Sequence, residues 1–140
     1  MAEQLQIQAG TDRAAQPRSI GGRVPLILVV DDDPDVRALA VDTLRDAGYR
    51  VLEAGDGRLA VILFEDHPDI ALIVTDIIMP GLDGFKLADM TKFKRPDLKI
   101  LYTTAYLNEA RETIGVVHGA ILRKPWRPTQ LEAAVKAALT

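Results

Sequence analysis

The sequence predicts one α/β domain, a doubly wound five-stranded parallel sheet of order 2-1-3-4-5 with helices on both faces. Three observations carry that expectation. Short apolar runs alternate with segments whose apolar residues recur at helical spacing, the pattern of β/α units. The alternation repeats five times between Leu26 and Leu139. Turn-forming residues, notably Gly48, Pro68, Pro80-Gly81 and Pro96, fall between the strands and helices.

Taken in order, Leu26–Val30 reads as the first strand, and Val36–Arg45 as a helix with Val36, Leu39, Ala40, Thr43 and Leu44 at helical spacing. Gly48 stops that helix, and Tyr49–Ala54 and Gly57–Asp66 form the second strand and helix, ended by Pro68. Ile70–Thr75 is the third strand. The Pro80-Gly81 and Asp83-Gly84 pairs mark a loop before a helix over Phe85–Phe93. Lys99–Thr103 is the fourth strand, Leu107–His118 a less regular segment weakened by Gly115, and Ala120–Arg123 a short fifth strand. A closing helix runs over Thr129–Leu139, starting at Thr129 or Pro128.

Residues 1–23, rich in Gln, Ala and Gly, read as a flexible N-terminal arm, with the domain spanning 24–140. A formal net charge of -3 argues against a surface built to neutralise nucleic-acid phosphates, so direct DNA binding is not expected. Cysteine is absent, which excludes disulfides and thiolate metal sites and suits a cytoplasmic location. The arm lacks the apolar core of a secretory signal, and the longest apolar runs fall far short of the roughly 20 residues that span a bilayer. No membrane association is expected.

In open parallel sheets, ligands bind beyond the carboxyl ends of the strands, where strand order reverses. Those ends carry Asp31 and Asp32 after the first strand, Asp76 after the third, Thr104 after the fourth and Lys124 after the fifth; the second offers Glu53 and loop glycines. Three converging carboxylates repel one another unless a cation compensates, and oxygen-only ligands suit Mg²⁺. Lys124 adds a mobile positive charge and Thr104 a hydroxyl donor, both suited to phosphoryl oxygens. Asp33 and Asp35, just ahead of the first helix, read as cap and first-turn residues instead.

The segments LILVVDDDPDVR, LIVTDIIMPGLDG, ILYTTA and LRKPW together resemble response-regulator receiver domains of two-component signalling. The resemblance covers Leu26 to about Leu139, in a flavodoxin-like fold similar to chemotaxis receivers of the CheY type. It implies that Asp76 accepts a phosphoryl group from the phosphohistidine of a histidine kinase or a histidine phosphotransfer protein. It also implies that Asp31, Asp32, Asp76 and the backbone carbonyl of Ile78 hold Mg²⁺, and that Thr104 and Lys124 contact the phosphoryl oxygens. Such a domain catalyses its own phosphorylation and dephosphorylation without being an enzyme for a separate substrate. Pro80 and Gly84 shape the loop beside the acceptor, and the Lys124-Pro125 bond resembles a cis peptide of the family, aiming Lys124 inward.

Since the sequence carries no DNA-binding or catalytic segment after Leu139, a stand-alone regulator or phosphorelay intermediate is expected, signalling through protein contacts that include a possible homodimer. The alternative within the family is a receiver belonging to a hybrid histidine kinase. A reading from a different class is an aspartyl phosphohydrolase with Asp31 as nucleophile and Asp33 as acid/base, which leaves the motif around Asp76 unexplained.

Some positions depart from the family's pattern. Ile121 stands where many receivers carry a rotating aromatic residue, so another readout, or partial substitution by Tyr102 or Tyr106, is expected. Ile78 and Tyr106, two positions after Asp76 and Thr104, are bulky and are expected to flank the acceptor and restrict attacking water. The fourth helix is expected to be short or irregular. Trp126 is expected to be half-buried, and His67 and His118 to be solvated turn residues.

Overall fold

The computed structural model describes residues 23–112 and 117–140. The expected arm, residues 1–23, lies outside the described residues except for its last position, as does Gly115 with its expected effect on the fourth helix. The elements run β1 (Leu26–Val30), α1 (Pro34–Asp46), β2 (Arg50–Ala54), α2 (Gly57–Asp66), β3 (Ile70–Asp76), α3 (Gly84–Lys94), β4 (Lys99–Thr104), α4 (Leu107–Glu112), β5 (Gly119–Arg123) and α5 (Pro128–Leu139). All strand pairs are parallel and the sheet order is β2-β1-β3-β4-β5, the doubly wound flavodoxin-like topology.

The starts of α1, α2 and α3 are set by aspartates. Asp33 accepts hydrogen bonds from the Asp35 amide at 2.9 Å and the Val36 amide at 3.3 Å, with Pro34 in the first turn. The helix therefore begins two residues before the apolar spacing that marks Val36, because a cap and a proline need no apolar residue. Asp56 and Asp83 cap α2 and α3 in the same way, through the amides of Leu59 at 2.8 Å and Lys86 at 2.9 Å. Gly48 follows α1 with φ +97°, a left-handed conformation that glycine adopts without steric cost.

The strands divide the core between two faces. Leu26, Leu28 and Val30 of β1 pack with Ala60 and Phe64 of α2 and Phe85, Leu87 and Ala88 of α3. Ile27 and Val29 pack on the other side with Ala40, Val41 and Leu44 of α1 and Leu131 and Val135 of α5. Strict alternation breaks once in β3, where the register with β1 shifts between Leu26 and Ile27. Ala71 is passed over there, so Ile70 and Ile73 share a face although three positions apart. Arg95 closes the far end of the sheet: its guanidinium donates to the carbonyls of Phe64, His67, Pro68 and Ile70 and lies 3.7 Å from the Phe64 ring centroid.

Candidate functional site

The buried strands β1 and β3 end side by side, Val30 paired with Thr75, so the residues that follow them must share a small volume. Asp31 is buried, and its amide still donates to the Ala54 carbonyl at 3.2 Å, extending the β1–β2 ladder by one residue. Asp76 is the last residue of β3, opposite Thr103 of β4, and is also buried. Asp32 is exposed. Each of Asp31, Asp32 and Asp76 offers a carboxylate oxygen within 4.8 Å of the others.

Lys124 reaches this cluster from the end of β5. Its amide donates to the Thr104 carbonyl at 2.8 Å, and its ammonium donates to Asp31 Oδ2 at 2.8 Å and Asp76 Oδ2 at 3.2 Å. The Lys124–Pro125 peptide is cis, in agreement with the sequence reading. Burial pushes the Asp76 carboxyl up from an ordinary 3.8 to about 6; Lys124 opposes that rise, while Asp31 and Asp32 add to it. Burial works against the Lys124 charge, but the hydrogen bond to Asp31 and the nearby charges of Asp76 and Asp31 outweigh it and raise its pKa. Three carboxylates against one ammonium leave a formal deficit of two positive charges, which a divalent cation would fill. A donor set made of hard oxygens fits Mg²⁺ in particular.

The loop after β3 is tied to the same point. The Gly84 amide donates to the Ile77 carbonyl at 2.8 Å, the Ile77 amide donates to the Thr103 carbonyl at 3.0 Å, and the Thr75 hydroxyl donates to the Asp76 carbonyl at 2.9 Å. Thr104 is fully buried at the carboxyl end of β4, and its Oγ1 accepts from the Tyr106 amide at 3.0 Å, leaving the hydroxyl proton to donate elsewhere. Ile78 and Tyr106 come two positions after Asp76 and Thr104, and the two residues are 41% and 59% exposed. At Tyr106 it is the backbone that touches Thr104. Tyr102 is locked in the core, its ring 5.1 Å from that of Phe85 and its hydroxyl accepting from the His118 amide at 3.1 Å. Of these two tyrosines, only Tyr106 presents its ring to solvent.

Two expectations need correcting. Trp126 is buried at 8% exposure, because it joins the core under α1 and α5. His118 is not a solvated turn residue: its Nε2 lies 2.7 Å from Asp89 Oδ1, which ties the start of β5 to α3. His67 ends α2, its Nδ1 2.9 Å from the Leu63 carbonyl. Sequence reading also missed Arg37. Its Nε pairs with Glu53 Oε1 at 3.0 Å and its other arm donates to the Asp31 carbonyl at 2.8 Å. The available signal was Glu53, an unpaired acid at a strand end, with an arginine one helical turn beyond the Asp33 cap.

The sequence pattern of the response regulator receiver domain matches residues 27–136. The chain belongs to this family. It is 36% identical over 116 residues to "Probable transcriptional regulator ycf27" of Cyanophora paradoxa, covering 81% of this chain and 47% of that protein. It is 37% identical over 115 residues to "Uncharacterized transcriptional regulatory protein YrkP" of Bacillus subtilis, covering 81% and 48%. The chain thus spans about half the length of these curated relatives. Among solved structures, it resembles the receiver domain of the hybrid histidine kinase CckA at a TM-score of 0.71 and 33% identity, covering 82% of this chain and 99% of that one. The chemotaxis protein CheY4 of Vibrio cholerae matches at a TM-score of 0.71 and 27% identity, covering 82% and 98%. As a receiver domain of the response-regulator family, the chain is a signalling module. No helix among the described residues is long and apolar enough to cross a membrane.

Proposed function

We propose that Asp76 is the phosphoacceptor of this receiver, taking the phosphoryl group of a phosphohistidine with Mg²⁺ held by Asp31, Asp32, Asp76 and the Ile78 carbonyl. The observation that supports this most is the contact of one lysine with both buried aspartates, Asp31 and Asp76, at the edge of a carboxylate cluster. Asp76 attacks as the carboxylate: its oxygen forms the new bond to phosphorus while the bond to the imidazole nitrogen breaks, and the imidazole leaves and is protonated from solvent. Bound Mg²⁺ supplies charge neutralisation for the phosphoryl oxygens and removes the electrostatic obstacle to an ionised Asp76.

The Lys124 ammonium, already beside Asp76, follows the charge onto the phosphoryl group, and the Thr104 hydroxyl donates to another phosphoryl oxygen. A recess of about 300 Å³ lined by Val36, Leu39, Ala105, Lys124, Pro125 and Trp126 gives the incoming histidine kinase or histidine phosphotransfer protein an apolar surface beside the acceptor. The protein then works in the cytoplasm, passing its signal through protein contacts, with homodimerisation one form of them, or handing the phosphoryl group on as a relay intermediate. It binds no DNA through this domain.

The phosphohydrolase reading is disfavoured. Both Asp31 oxygens are engaged, by the Asp33 amide at 2.9 Å and by Lys124, while Asp33 is spent on capping α1. The test is incubation with phosphoramidate, whose P–N bond imitates that of phosphohistidine. The expected product is one hydroxylamine-labile acyl phosphate per chain, formed only with Mg²⁺ and absent in Asp76→Asn. Catalytic release of phosphate from simple phosphomonoesters would support the hydrolase instead.

A further inference from the structure

We propose that Arg37 is a positioning residue for the metal pair, holding the peptide between Asp31 and Asp32 in the orientation that divalent-cation binding needs. The inference rests on the reading of that pair as the Mg²⁺ site. Arg37 lies on α1, its side chain 22% exposed, and directs its two donor arms at different strands. One nitrogen donates to the Asp31 carbonyl at 2.8 Å and Nε donates to Glu53, at the end of β2, at 3.0 Å. A peptide unit is planar, so fixing the Asp31 carbonyl fixes the Asp32 amide and the directions in which both residues leave that plane. The Asp31 amide is held separately by Ala54 and the Asp33 amide by Asp31 Oδ1. Arg37 supplies the constraint on the one peptide plane common to both metal-facing residues.

Charge alone argues for the opposite residue type here. A guanidinium beside a carboxylate cluster repels an incoming cation, so its presence needs a compensating benefit. Glu53 pairs with that charge and keeps the guanidinium on the carbonyl instead of on the Asp32 carboxylate. The fork geometry explains why arginine serves and lysine would not, since a single ammonium on a flexible stem cannot span both acceptors in fixed directions. Gly55 completes the arrangement: a Cβ there would stand 3.2 Å from the Arg37 nitrogen that donates to Asp31, and Gly55 has no positive φ that would otherwise demand glycine.

The two effects of Arg37 on Mg²⁺ have opposite signs, which makes them separable by calorimetric titration of the full chain. Arg37→Met removes a positive charge but keeps the stem. If Arg37 acts by positioning, Mg²⁺ binding weakens by about tenfold, the scale of outer-shell support in metal sites. Gly55→Val changes no charge, crowds the guanidinium and weakens Mg²⁺ several-fold. The double variant is no weaker than Arg37→Met alone, because both act through one contact. Arg37→Lys retains the charge and still binds Mg²⁺ more weakly than wild type; it decides the matter should the methionine variant fold poorly by urea titration. Unchanged or tighter Mg²⁺ binding in Arg37→Met, or additive losses in the double variant, overturns the proposal. Wild type that binds Mg²⁺ but is never phosphorylated at Asp76 overturns the acceptor reading and leaves the role of Arg37 standing.

Discussion

Replacing Gly84 by alanine should damage both the fold and the acceptor, whereas the same change at Gly81, three residues earlier, should do neither to a comparable degree. A Cβ at Gly84 would lie 2.3 Å from the Asp76 carbonyl oxygen and 2.9 Å from the Ile77 Cα, both backbone atoms. Relief to an ordinary contact requires a shift of roughly 1 Å at the end of β3, and forcing such shifts on packed structure costs about 1–3 kcal/mol. The hydrogen bond from the Gly84 amide to Ile77 resists the movement, so the upper part of that range applies. Gly81 has φ +77° with nothing within 4 Å of an added Cβ, so only left-handed strain of about 1–2 kcal/mol remains, partly offset by the stiffer unfolded chain. Urea unfolding of the two variants should separate them by about 1–2 kcal/mol. Mg²⁺ titration should show weakened binding only for Gly84→Ala, since the displaced atoms belong to Asp76. Equal urea midpoints, or wild-type Mg²⁺ affinity in Gly84→Ala, would refute the reasoning.

Three further outcomes follow from the same geometry. Without metal, Asp76→Asn should stabilise the protein at pH 7.5: a carboxyl raised to about 6 favours the folded state below its unfolded pKa and loses that contribution as pH rises through 6. The difference, up to about 3 kcal/mol by the pKa–energy conversion, should shrink as pH is lowered toward 4 in urea titrations, and a difference constant with pH would contradict it. Lys124→Met should destabilise the metal-free protein by about 3 kcal/mol by stripping the counter-charge from Asp31 and Asp76, with Mg²⁺ restoring stability; phosphorylation should slow without loss of Mg²⁺ affinity. Arg95→Met should cost about 2 kcal/mol in urea unfolding by removing the donor from the part-buried carbonyls of Phe64 and Ile70, while Mg²⁺ binding at the opposite end stays unchanged.

The central strands were legible because they are buried on both faces and therefore apolar without interruption, as in LILVV of β1 and in LIV within β3. The candidate site was legible for a related reason: charged residues that directly follow such runs stand out, and the topology brings their ends together. What was not legible depends on contacts between elements remote in sequence. His118 pairs with Asp89, 29 positions away, and Arg37 reaches Glu53 across 16, so neither produces a local pattern. The burial of Trp126 depends on how α1 and α5 meet over β1, which no spacing within LRKPW encodes. Ile121 shows the reverse case. Its departure from the aromatic type was visible at once, and the structure adds that it pairs with the fully buried Tyr102 and packs against the core, while the Tyr106 ring is exposed.

The central question is where the phosphoryl group goes. Peptide mapping by mass spectrometry, after phosphorylation with Mg²⁺ and borohydride reduction of the acyl phosphate, addresses that point directly. The expected result is a single modified residue, Asp76, in wild type and none in Asp76→Asn. Modification at Asp31 or Asp32, or undiminished labelling of Asp76→Asn, would contradict the assignment of Asp76 as acceptor.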